Sequence, residues 1–156
     1  NSPFWLLLFQ YLTGKITACK GEAMPVQILV VDDEKSIVRM FKMILSCGLP
    51  DCRVDLALNG FEAVDAFRKG QYDIILLDIQ MPVMDGYTAF LEIQKICRME
   101  NLAMPFVIFC TGYDLPSELE TTGENNSYCI LRKPITPDIL LETFKNLLQT
   151  KVNTKT

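Results

Sequence analysis

Five short apolar runs punctuate the chain, and between them apolar residues recur at helical rather than alternating spacing. "VQILVVDD" (26–33) stays apolar almost throughout and ends in acids. After it Ile37, Val38, Phe41, Ile44 and Leu45 return at intervals of three and four, the period of one helix face. "RVDLAL" (53–58) predicts a second strand, and Phe61, Val64 and Phe67 mark a helix that Gly70 ends. "DIILLD" (73–78) predicts a third strand, with Tyr87, Phe90, Leu91 and Ile93 on the helix behind it. "PFVIFCTG" (105–112) and "YCILRKP" (128–134) are the fourth and fifth strands. Between these two, residues 115–127 offer only Leu115 and Leu119 for burial, which makes a weak helix at best. The last helix opens at "TPDILLETFKNLL", with Thr136 as cap and Pro137 at the first helical position, where a missing N–H costs nothing. It buries Leu140, Phe144 and Leu147.

Strands that are apolar on both faces and alternate with helices predict an α/β domain. Its parallel sheet is covered on both sides. Right-handed crossovers make this a doubly wound, three-layer fold. The regular pattern occupies residues 24–150, with an N-terminal appendage at 1–23 and a short tail at 151–156. Within the appendage, residues 4–12 are apolar but too few to cross a bilayer as a helix. They resemble a signal-peptide core, yet no basic segment precedes them and Lys15 interrupts the approach to Cys19. Because every predicted element follows Met24, a chain starting at Met24 is expected to fold normally. Thermal unfolding of the long and short chains decides this, a large loss on truncation meaning that Phe4 and Trp5 dock on the core.

Composition narrows the chemistry. At 156 residues and 49% hydrophobic content, one domain with an ample core is expected. The net charge of −4 conceals an acidic body, since residues 24–150 hold 11 Lys plus Arg against 18 Asp plus Glu, or −7. Phosphate-backbone binding needs clustered basic residues, so direct nucleic-acid contact is not expected, and neither is a membrane partner. The six cysteines form no C-x-x-C pair and have no histidine to help them hold zinc. Cys110 and Cys129 lie in strand-like runs, where free cysteine behaves as a small hydrophobe, and a reducing, cytoplasmic setting fits. The absence of histidine leaves carboxylates, hydroxyls and lysine to carry any chemistry, unless a partner brings it.

All strand C-termini of an open parallel sheet share one edge, where ligands bind. That edge receives Asp32 and Asp33 from strand one, Asp78 from strand three, Thr111 from strand four and Lys133 from strand five. Taken alone, Asp33 reads as a helix cap. Taken together, the carboxylates repel one another, and a hard divalent cation relieves them. Oxygen-only ligands favour magnesium over zinc. Flanked by a cation and Lys133, Asp78 can attack phosphorus while Thr111 donates a hydrogen bond to a phosphoryl oxygen.

"VVDDE", "LLDIQMPVMDG", "FCTGYD" and "LRKP" resemble, in order and spacing, the receiver domain of two-component response regulators, over roughly residues 26–149. The resemblance implies a flavodoxin-like (βα)5 fold with strand order 2-1-3-4-5. It implies Asp78 as phosphoacceptor, and Asp33, Asp78 and the main-chain carbonyl of Gln80 as magnesium ligands, with Asp32 holding a metal-bound water. It further implies Thr111 and Lys133 as the phosphoryl-sensing pair, and a cis bond before Pro134. The implied partners are a sensor histidine kinase or histidine phosphotransfer protein as donor and a separate downstream protein. The implied role is signalling rather than enzymatic turnover. One departure stands out, because Ile130 occupies the place of the Tyr or Phe that usually swings inward on phosphorylation. A receiver fold that no longer takes phosphate and serves only as an interaction module is the alternative. It usually has lost an acid, the threonine or the lysine, and all are present here.

A magnesium-dependent phosphatase or nuclease would want a second acid near Asp78, but position 80 is Gln. A flavin site would want a phosphate-binding loop where "DDEKS" stands. Gln80 and Tyr113 lie two residues after Asp78 and Thr111, flanking the path of water to a phosphoryl group. Gln orients water loosely and Tyr obstructs it, so self-dephosphorylation is expected to be slow and Tyr113→Ala to accelerate it. An unchanged decay rate in that variant would remove the shielding role.

Overall fold

The computed structural model describes residues 25–112 and 128–153. Nine elements follow in order: β1 (Val26–Val31), α1 (Lys35–Gly48), β2 (Cys52–Ala57), α2 (Gly60–Lys69), β3 (Ile74–Asp78), α3 (Gly86–Glu100), β4 (Phe106–Thr111), β5 (Tyr128–Arg132) and α4 (Pro137–Asn153). The strands form one parallel sheet in the order β2-β1-β3-β4-β5, the order expected. The expected weak helix at 115–127, Tyr113 and residues 1–23 lie outside the described residues.

The sheet buries both faces because its side chains alternate. Ile28, Val30, Ile74, Leu76 and Ile108 point into one core, closed by Val38, Phe41 and Leu45 of α1 and Leu140 and Phe144 of α4. Leu29, Val31, Ile75, Leu77 and Phe109 point into the other, closed by Phe67 of α2 and Phe90, Ile93 and Ile96 of α3. The central strands β3 and β4 are buried at every position, which is why their sequences show no polar alternation.

Several local expectations shift. Strands begin or end one or two residues from the apolar runs, because the backbone leaves the ladder before the side chains turn polar. Phe61 and Leu91 share the apolar spacing of their helices but are 58% and 43% exposed. The buried stripes instead use Gly60, Ala63 and Phe67 on α2, and Ala89, Phe90, Ile93, Ile96 and Cys97 on α3. Small residues sit where the helices pack inward, Gly60 against Met84 of the loop before α3, so a hydrophobicity count misses them. The last helix runs past residue 150, to Asn153. Its start is as expected, the Thr136 hydroxyl accepting from the Ile139 N–H at 3.3 Å.

Caps set the entries of the other helices. Asn59 accepts from the Glu62 N–H at 2.9 Å, and Glu62 reaches back to the Leu58 N–H at 2.8 Å, a reciprocal box that starts α2. Asp85 accepts from both the N–H and the hydroxyl of Thr88 at 2.8 Å to start α3. The loop before α3 holds one strained residue, Val83, with φ at 73° and a side chain 79% exposed. A β-branched residue is poorly suited to the left-handed region. Val83→Asn is therefore expected to raise stability by about 1 kcal/mol, since asparagine tolerates that conformation. The check is a higher urea midpoint at unchanged denaturant slope.

Candidate functional site

The parallel register brings the predicted residues to one edge. Val31 lies beside Leu77, Asp78 beside Cys110, and Thr111 beside Arg132, so the chains leave the sheet at nearly one level. Main-chain bonds continue this alignment past the strands. Asp32 N–H donates to Ala57 at 3.3 Å, Ile79 N–H to Cys110 at 3.1 Å, and Lys133 N–H to Thr111 at 2.8 Å. The bond between Lys133 and Pro134 is cis.

At that edge Asp32, Asp78 and Thr111 are buried, while Asp33 and Gln80 are exposed. The Lys133 ammonium lies 2.8 Å from Asp32 Oδ2 and 3.2 Å from Asp78 Oδ2. The other Asp32 oxygen, Oδ1, accepts from the Glu34 N–H at 2.9 Å. Asp33 is not the helix cap. Glu34 is the N-cap of α1 and makes no side-chain cap bond, which leaves Asp33 on the open side of the cluster.

Burial pushes the Asp78 carboxyl above the ordinary carboxylate range, and the neighbouring Asp32 adds to the push. The Lys133 charge, its hydrogen bond and the Gln80 N–H pull the other way without cancelling it. For Lys133, burial pulls the ammonium down, but the bond to Asp32 and the charges of Asp78 and Asp32 outweigh it and the net direction is up. The lysine is therefore held charged between two acids.

One ammonium does not balance this edge. Carboxylate oxygens of Asp32, Asp33 and Asp78 all lie within 4.8 Å of one another. Three carboxylates against Lys133 leave a formal −2, the charge a divalent cation supplies. The donor set is all oxygen, with no histidine or thiolate among the three, which suits a hard ion such as magnesium. The exposure of Asp33 keeps one side of the cluster open to an incoming ligand.

Other features of the site were not legible in the sequence. The loop after β3 folds back so tightly that Gly86 rests on the main chain of Asp78. A Cβ at Gly86 would lie 2.0 Å from the Asp78 carbonyl oxygen. Its N–H also donates to Ile79 at 2.9 Å, and Ile79 and Met81 are buried beneath the loop. The glycine directly after a capping Asp was the available signal. The bond from Lys133 to Asp32 spans 101 residues and left none.

A third feature concerns Ile130, where the resemblance implies an aromatic residue. Ile130 is half-buried against the α2–α3 core, and Tyr128, two residues earlier, packs against the same core. The Tyr128 ring meets Phe109 edge-on at 5.6 Å and Phe90 at 6.1 Å, and Phe90 meets Phe109 at 5.3 Å. Thus β5 carries an aromatic on that side after all, already packed among other rings.

Comparison with known proteins agrees with this geometry. The sequence profile of the response regulator receiver domain matches residues 28–145. Response regulator Rre1 of Synechocystis sp. is 30% identical over 126 residues, covering 81% of this chain and 53% of that protein. Hybrid signal transduction histidine kinase B of Dictyostelium discoideum is 34% identical over 134 residues, covering 78% of this chain and 7% of that protein. The chain thus spans about half of the first relative and a small part of the second. Among solved structures, the chemotaxis protein CheY4 of Vibrio cholerae is 26% identical with a TM-score of 0.63, over 78% of this chain and 98% of that one. Among the described residues no helix is long and apolar enough to cross a membrane. The chain belongs to the response regulator receiver domain family of two-component signalling.

Proposed function

We propose that this receiver accepts a phosphoryl group from a partner phosphohistidine onto Asp78 and passes the signal to a separate protein. The observation that carries the reading is a buried strand-end carboxylate, paired to Lys133 at 3.2 Å, beside two further acids. An Asp78 oxygen attacks phosphorus, the phosphorus–nitrogen bond of the donor breaks, and the imidazole leaves with the electron pair. An acyl phosphate results. The donor belongs to a sensor histidine kinase or a histidine phosphotransfer protein, because these 156 residues contain no histidine.

Asp33, Asp78 and the main-chain carbonyl of Gln80 would hold magnesium, with Asp32 bound through a water. When bound, the ion supplies positive charge to the developing phosphoryl oxygens. The chain does the rest. The buried β3 fixes Asp78 in place, Thr111 donates to a phosphoryl oxygen, and Lys133 moves its bond from the carboxylates to the phosphoryl group.

Loss of the Lys133 bond to Asp32 at one edge of the sheet is the signal that leaves the site. With Ile130 in the usual aromatic position, no ring swings there, and the packed Tyr128, Phe109 and Phe90 transmit a shift of β4 and β5 toward α3. The free cysteines described (Cys47, Cys52, Cys97, Cys110 and Cys129) support a reducing, cytoplasmic setting. The test is incubation with a small phosphodonor, with and without magnesium, and mapping of the product by mass spectrometry. Phosphate on any residue other than Asp78 would sink the assignment.

A further inference from the structure

The turn between β2 and α2 carries none of the site residues, yet it is bonded to both stretches that do. Ala57, the last residue of β2, accepts from the Asp32 N–H at 3.3 Å. Gly60, the first residue of α2, donates its N–H to the Met84 carbonyl at 3.0 Å. Met84 lies in the loop before α3, which also carries Gln80, whose carbonyl is a proposed magnesium ligand.

Neither partner in the Gly60–Met84 contact has slack. Glu62 and Asn59 fix the turn, with Glu62 Oε2 accepting from the Leu58 N–H at 2.8 Å and the Asn59 side-chain amide donating to Glu62 Oε1 at 3.1 Å. The loop is closed on itself, since the Gly86 N–H donates to Ile79 at 2.9 Å and the Met84 N–H donates back to Pro82 at 2.9 Å. The two meet closely. A Cβ at Gly60 would lie 2.6 Å from Met84 Cγ, 2.7 Å from the Met84 carbonyl oxygen and 2.9 Å from Met84 Cβ. The Cγ can rotate away, but the oxygen is main chain and moves only with the loop. Gly60 belongs to a helix, so glycine is needed there for room and not for an unusual backbone conformation.

We infer that Gly60 is a positioning residue for the magnesium site, setting through Met84 where the Gln80 carbonyl stands relative to Asp33 and Asp78. The inference rests on the reading that these groups hold magnesium. Coupling of this kind is reciprocal, so a bound ion also tightens the Gly60–Met84 bond.

Calorimetric titration with magnesium chloride, with no phosphodonor present, reads the affinity of parent and variants. Gly60→Ala should weaken binding by about tenfold or more, the effect expected when the support of a metal ligand is lost. Phe67→Leu is the comparison, because it lowers the urea midpoint through the core contact of α2 and leaves the turn intact. Its magnesium affinity should equal that of the parent. A second measurement needs no variant and decides alone if Gly60→Ala does not fold. In the parent, magnesium should slow hydrogen exchange at the Gly60 N–H by a larger factor than at Gly70, whose N–H donates to Ala66 at 2.9 Å at the other end of α2. Parent-like affinity in Gly60→Ala, equal weakening in Phe67→Leu, or equal slowing at the two glycines overturns the inference. A parent that binds no magnesium overturns the metal reading itself, and this inference with it.

Discussion

Asp78→Asn is expected to lose all phosphate incorporation while the fold stays within about 1 kcal/mol of the parent. The amide keeps the shape of the side chain, and its oxygen still accepts from Lys133, but it is no nucleophile. Removing one of three crowded charges relieves repulsion at the buried edge, so the substitution does not threaten the sheet. In the parent protein, labelling is expected only with a divalent cation. With the three carboxylates within 4.8 Å of one another, each like-charge contact costs at least about 3 kcal/mol at the effective dielectric of a partly exposed site. A phosphoryl group arriving among three carboxylates with only Lys133 to offset them should react slower by at least about two orders of magnitude. Asp33→Ala should weaken magnesium binding, and Lys133→Ala should still label yet fail to transmit the change. Mass spectrometry and circular dichroism on the Asn variant, with chelator controls on the parent, give the answer. Undiminished labelling in excess chelator would remove the metal from the scheme.

Gly86→Ala should cost about 2–4 kcal/mol of stability, among the largest effects of any conservative change in this domain. The added methyl would sit 2.0 Å from the Asp78 carbonyl oxygen and 3.1 Å from the Ile79 Cα. Those are backbone atoms of a buried strand end, so no side-chain rotation relieves the clash. Either α3 moves outward, losing the Gly86 N–H bond to Ile79 and its packing through Phe90 and Ile93, or the strand end moves and displaces Asp78. Both outcomes lower the denaturation midpoint, and the second also slows labelling. Gly70→Ala is the control. Its Cβ would meet nothing closer than 3.7 Å, and its backbone is extended, so a change below about 1 kcal/mol is expected. Equal midpoints for the two variants would mean that the contact of Gly86 with the Asp78 main chain contributes nothing to the stability of the domain.

Much of the site was readable because its chemistry is attached to strand ends. A parallel sheet with five apolar strands must place Asp32, Asp78, Thr111 and Lys133 on one edge, whatever the packing details. The run "DIILLD" announced both the burial of β3 and the carboxylate it delivers. The caps at Asn59 and Thr136 were equally local, since the bonds involved span three residues.

Two local expectations differ from the structure, one because of contacts made far away in the chain and one because of the turn after β1. Phe61 and Leu91 follow helical spacing yet face solvent, because the inward stripes use the small residues Ala63 and Ala89, while Gly60 is buried against Met84 of the loop before α3. Asp33 looked like a cap, but the turn after β1 gave that position to Glu34 and used Asp32 Oδ1 to hold it.

By itself, the sequence determined the alternation of strand and helix, the parallel sheet, and the identity of the residues at the C-terminal edge of its strands. These follow from periodicity and from residue type, which are properties of short stretches. Tertiary structure alone decided how Lys133 divides itself between Asp32 and Asp78, how closely Gly86 lies on the Asp78 backbone, and that Tyr128 fills the aromatic cluster beside Ile130. Each of these depends on distances between segments that are distant in sequence. Such distances are set by the packing of both cores at once, and no local pattern encodes them.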